Sequence, residues 1–155
     1  MLAIINAELV MRDHLIPEGV LFIEDDKIAG FGEMRTTPIP ADCEIIDAQG
    51  AYVGPGLVDI HCHAGTGVRF IHDPAKATEE HLENGTTSIL ATPGTRSTLP
   101  EYLDFLQKVR DVMESHQDTI IAGVYMEGPY INQNFGSMNN MKGVEQPRIL
   151  ETVPE

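Results

Sequence analysis

The sequence predicts an α/β protein in which a small β layer precedes strands and helices that alternate around a parallel sheet. Residues 1 to about 53 break into short apolar strands with tight turns. From residue 54 the texture becomes strand, helix, strand, helix, strand, the pattern of βα units. At the junction lies Pro55-Gly56-Leu57-Val58-Asp59-Ile60-His61-Cys62-His63, an apolar run ending in two histidines one residue apart.

In the β layer, strands are predicted at Leu2 to Ile5, Glu8 to Met11, Val20 to Glu24, Lys27 to Phe31 and Glu44 to Asp47. The clearest hairpin pairs Gly19 to Glu24 with Lys27 to Gly32 across Asp25-Asp26. Thr36-Thr37-Pro38-Ile39-Pro40 reads as a loop or edge, because proline cannot donate to a ladder. The predicted domain organisation is therefore 1–53 and 54–155.

In the second part, Leu57, Val58 and Ile60 suit a strand covered on both faces. A helix is expected from Asp73-Pro74, an N-cap with proline at the first helical position, to Asn84-Gly85. Thr86 to Thr92 is a β-branched strand ended by Pro93-Gly94. Thr98-Leu99-Pro100-Glu101 is a capping box, and Tyr102, Leu103, Leu106, Val109 and Met113 recur at helical spacing as the face expected against the sheet. His81 and His116 read as solvated surface residues. A third strand, Thr119 to Met126, runs into Glu127-Gly128-Pro129, and Tyr130 to Glu155 reads as a long active-site loop with a short helix near Pro147 to Thr152.

Composition narrows the function. At 155 residues the chain has the size of one ordinary domain. Its 42% hydrophobic and 22% charged residues are those of a folded protein. No apolar run approaches the roughly 20 residues that span a bilayer, and the N-terminus lacks the basic start of a cleavable leader. Cys43 and Cys62 form no Cys-x-x-Cys pattern, which suits a reducing, cytoplasmic setting. A formal charge of −14 repels nucleic acid and anionic membrane surfaces, so neither partner is expected. The same field disfavours a phosphorylated small molecule unless a local cationic pocket overrides it.

The chemistry-bearing residues follow from strand geometry. Side chains alternate with a period of two, so His61 and His63 point one way and Cys62 the other. Two convergent imidazoles are half of a typical zinc first shell. The bland alternative is a pair of histidines hydrogen-bonded at a strand end. Glu127 adds a carboxylate at the end of a later strand, where ligand groups gather in parallel α/β folds, so His61, His63 and Glu127 can share one mouth.

These segments, together with Asn84-Gly85-Thr86-Thr87-Ser88 and Glu127-Gly128-Pro129, resemble the opening motifs of the metal-dependent amidohydrolase superfamily, with the nearest match in the N-acetylglucosamine-6-phosphate deacetylase family. The resemblance implies the N-terminal portion of a (β/α)₈ TIM-type barrel preceded by a small β-sandwich segment. It implies that His61 and His63 bind one metal, and that Glu127 is a ligand that bridges to a second ion where two are present. Zinc is the default ion, with iron or manganese suited to the same shell. It also implies a small amino-sugar substrate and a homodimer in the full-length form. Two further histidine ligands and an aspartate general acid/base come from later barrel strands in the family, so no catalytic acid/base is expected within this chain. A complete barrel takes about 250 residues. Only its first three βα units are expected here, in an N-terminal fragment or the product of a truncated gene.

One segment departs from the family pattern. Where the deacetylases carry a lysine pair and a histidine that touches the sugar, this chain has Asn134-Phe135-Gly136-Ser137-Met138-Asn139, without the lysines and with methionine for the histidine, and the resemblance implies Met138 and Asn139 as the substrate-binding positions. The expected function is hydrolysis of the N-acetyl group of N-acetylglucosamine 6-phosphate by the parent protein, with this chain alone inactive. The alternatives are another cyclic-amide or deaminating amidohydrolase, or a non-catalytic half-barrel association module.

Overall fold

A computed structural model of the chain describes residues 1–65, 67–94, 97–116 and 118–128. It divides into a unit from Met1 to Pro55 and a second unit from Gly56 onward.

The first unit is a sheet of β1 (Leu2–Val10), β2 (Leu15–Glu24), β3 (Lys27–Glu33), β4 (Glu44–Asp47) and β5 (Tyr52–Val53). The order is β3-β2-β1-β4, with β5 also on β1; the β1-β2 and β2-β3 pairs are antiparallel, and β4 and β5 run parallel to β1. The two strands predicted over Leu2 to Met11 are one strand, because Asn6, at φ 53°, absorbs the break as a bulge. Its side-chain amide donates to Asp47 Oδ1 at 2.9 Å, and the Gln49 N–H donates to the same oxygen. These bonds hold the Asp47 carboxyl below the usual range, the Asn6 bond contributing most. Strand β2 starts earlier than expected. Pro17 masks it in the sequence, whereas the register between Ile16 and Gly19 slips around Glu18, at φ 45°. The hairpin has Glu24 opposite Lys27 as expected, and Asp25 takes φ 56°. Ala3, Val20 and Phe22 form its buried centre.

The second unit is a parallel sheet of β6 (Leu57–Cys62), β7 (Thr86–Ala91) and β8 (Ile121–Val124), in that order, with α1 (Pro74–Glu83) and α2 (Leu99–Ser115) as crossovers. The predicted caps form. Asp73 accepts from the Lys76 N–H at 3.0 Å, and the Thr98 N–H donates to Glu101 Oε2 at 2.6 Å. Phe70, Ala77, Ile89, Ala91, Phe105, Val109, Ile120 and Ile121 make the core around the central strand β7.

Two expectations fail here for identifiable reasons. Strand β6 is not covered on both faces: Leu57, Val58 and Ile60 are 63%, 68% and 63% exposed. Its apolar composition suits an interior strand, but among the described residues it pairs only with β7 and α1 packs on β7. The inward face of α2 is also rotated from the expected one. Tyr102, Phe105 and Val109 are buried, whereas Leu103 is 58% exposed, and Leu106 and Met113 are also exposed. Phenylalanine at 105 completes the i, i+3, i+4 row from Tyr102 to Val109, and a leucine stripe beside it diverted the reading. The predicted loop and helix over residues 130–155 lie outside the described residues.

If Phe105 carries this core, Phe105→Ala lowers the unfolding free energy by about 3 to 5 kcal/mol, whereas Leu103→Ala shifts it by no more than about 0.5 kcal/mol. Urea unfolding followed by circular dichroism separates the two outcomes.

Candidate metal centre

The parallel ladder brings three strand ends to one edge. His61 is the penultimate residue of β6, and His63 follows the strand directly. Thr92 follows β7, and Glu127 lies three residues beyond β8 after Tyr125, whose N–H extends the ladder to Ala91 O at 3.1 Å.

Here the two imidazoles converge. His61 Nε2 lies 3.3 Å and His63 Nε2 3.0 Å from the same oxygen, Glu127 Oε2. One potential ligand atom from each residue falls within 4.8 Å of the others. The rings meet edge to face at 5.5 Å, and His61 is stacked on Tyr125 at 4.8 Å. All three side chains are partly exposed, so the site opens to solvent.

Thr92 organises this edge, and sequence reasoning missed it. Its N–H donates to Cys62 O at 3.0 Å, and its Oγ1 accepts from the Cys62 N–H at 3.2 Å. Its own carbonyl lies 3.3 Å from His63 Nδ1, and at 1% exposure it is fixed in place. A proton on Nδ1 donated to that carbonyl leaves a lone pair on Nε2, directed at Glu127. Two acceptors 3.0 Å apart repel unless a cation or a proton lies between them, so two imidazole nitrogens and a carboxylate fit a divalent ion. Ala64, next along, takes φ 103°, a strained value for an alanine beside such a site.

Cys62 faces away from this pair, as the alternation requires. Its Sγ lies 3.4 Å from His81 Nε2, and its thiol is pushed up mainly by burial. The expectation that His81 is solvated is therefore corrected: it is partly buried, because its ring stacks on Phe70 at 5.9 Å and its Nε2 lies against the Cys62 sulfur at the end of β6. His116 is exposed, as expected. Met138 and Asn139 lie outside the described residues.

No protein-family model matches the chain. A dihydroorotase from Lactobacillus helveticus is 32% identical over 132 residues, which span 80% of this chain and 27% of that protein. The structure of N-acetylglucosamine-6-phosphate deacetylase from Pasteurella multocida superimposes with a TM-score of 0.74 at 26% identity, covering 86% of this chain and 35% of that one. The corresponding deacetylase from Mycobacterium smegmatis gives 0.71 at 26% identity over 91% and 39%. The chain thus spans about a quarter to two fifths of the length of these relatives. Its resemblance to the amidohydrolase superfamily is carried by the backbone, which superimposes on the deacetylases, and by the sequence, which matches dihydroorotases.

Tyr102 gives this edge a pH signature. It is 1% exposed, its hydroxyl donates to Gly94 O at 3.2 Å, and its phenol is pushed up first by burial and then by the negative charge of Glu127. The unfolded phenol releases its proton near 10.0 and the folded one higher, so above that pH the unfolded state binds fewer protons and stability falls as pH rises. Tyr102→Phe is expected to flatten that part of the urea midpoint against pH, and to cost about 0.5 to 1.5 kcal/mol at neutral pH for the lost hydrogen bond.

Proposed function

We propose that this chain, which resembles the hydrolytic enzymes of the amidohydrolase superfamily, is the metal-binding N-terminal part of a metal-dependent amide hydrolase whose substrate is N-acetylglucosamine 6-phosphate. In this reading residues 1–53 belong to a β-sandwich, and 54–155 supply the first three βα units of a (β/α)₈ barrel. The observation that carries it is the convergence of His61 Nε2 and His63 Nε2 on Glu127 Oε2 at strand carboxyl ends. The structural similarity to deacetylases, one of them from Mycobacterium smegmatis in complex with N-acetyl-D-glucosamine-6-phosphate, supports the substrate class. A cytoplasmic setting rests on Cys43 and Cys62 both being free thiols. No helix among the described residues is long and apolar enough to cross a membrane.

His61, His63 and Glu127 hold the ion, zinc by default, with iron or manganese fitting the same donors. Once bound, such an ion supplies Lewis acidity, polarising the amide carbonyl and lowering the pKa of water toward about 7. The chain's own residues do the positioning. Thr92 fixes the His63 ring through Nδ1 and Tyr125 stacks on the His61 ring, so both nitrogens are aimed before any ligand arrives, while the Asp59 carboxylate accepts the His61 backbone N–H at 3.0 Å. Proton delivery to the leaving amine needs an acid that none of these residues provides, so this chain alone releases no acetate.

A second reading, opening of a cyclic amide, is favoured by a different observation: the curated relatives named dihydroorotase are 32% identical across most of the chain.

In a parent protein containing this sequence, acetate release from N-acetylglucosamine 6-phosphate is expected to be abolished by a chelator and restored by zinc. His63→Ala is expected to lower kcat/KM at least about 100-fold. Ring opening of dihydroorotate without acetate release would instead establish the second reading. Acetate release by the isolated chain would contradict the assignment of the proton donor.

A further inference from the structure

Around Cys62, whose side chain points away from the His61 and His63 pair, three more metal-competent side chains meet. Asp59, Cys62 and His81 each offer a ligand atom within 4.8 Å of the other two, and all three are partly buried. Cys62 Sγ lies 3.4 Å from His81 Nε2. The Ala64 N–H donates to that sulfur at 3.3 Å, as backbone amides do to metal-bound thiolates. The His81 ring is held against Phe70 at an interplanar angle of 14°, which restricts where Nε2 can point. The sites differ in chemistry as well as in place. The first offers two imidazoles and a carboxylate, and the second adds a sulfur, which favours a borderline-soft ion.

We propose that Asp59, Cys62 and His81 form a second divalent-cation site, specific for zinc-like ions, that ties the carboxyl end of β6 to the last turn of α1. Cys62 binds as the thiolate, its proton leaving to solvent as the sulfur–metal bond forms. Three protein ligands leave a fourth tetrahedral position for water. The site shares the short strand β6 with the first. Asp59 links them, because its Oδ1 accepts the backbone N–H of His61 while its carboxylate lies near Cys62 and His81.

Cobalt(II) tests the proposal, because only a thiolate ligand gives a sulfur-to-cobalt charge-transfer band in the near ultraviolet. The full chain titrated with cobalt is expected to show that band. It should persist in the double variant His61→Ala/His63→Ala and in Cys43→Ser, and should disappear in Cys62→Ser and in His81→Gln. A wild-type titration without the band overturns the proposal, as does a band kept in His81→Gln or lost in Cys43→Ser. A second measurement needs no variant: zinc is expected to slow alkylation of Cys62 by iodoacetamide at least about 10-fold, read by peptide mapping. An unchanged rate would mean that the three side chains form only a hydrogen-bonded cluster.

Discussion

The geometry depends on the parallel pairing of β6, β7 and β8, and on how that ladder ends. Parallel strands start and stop together, so residues just past their carboxyl ends share an edge although they are far apart in sequence. His63, Thr92 and Glu127 meet for that reason. Thr92 makes the alignment specific. It exchanges two hydrogen bonds with Cys62 across the end of the ladder and places its carbonyl against the His63 ring. An interaction that finishes a sheet therefore also sets an imidazole tautomer.

The histidine edge was legible in the sequence because a strand's period of two fixes which side chains share a face, whatever the packing around them. His61, His63 and the opposed Cys62 needed only that rule, and Glu127 needed the rule about strand ends. The helix caps were readable for the same reason, since Asp73 and Thr98 act within one turn of themselves. Features set by neighbours remote in sequence were not readable. Nothing local distinguishes Phe105 from Leu103 as the buried residue, or tells that His81 lies against Phe70 and Cys62. Thr92 looked like the last residue of a β-branched strand, and its carbonyl gave no sign of its partner.

The exposed apolar residues of β6 fit the same account. Leu57, Val58 and Ile60 have the composition of an interior strand, yet among the described residues β6 has one neighbour. In the related deacetylases the matching region is about a third of a longer chain. The strand that bears His61 thus leaves Leu57, Val58 and Ile60 exposed, which is why activity is proposed for the parent protein and metal binding for this chain.

The central claim is that His61, His63 and Glu127 converge to hold an ion. Crystals of this chain soaked in zinc, with data collected on both sides of the zinc absorption edge, test it directly. The expected result is an anomalous peak about 2.0 to 2.2 Å from His61 Nε2, His63 Nε2 and a Glu127 oxygen. A map with no peak there would contradict it.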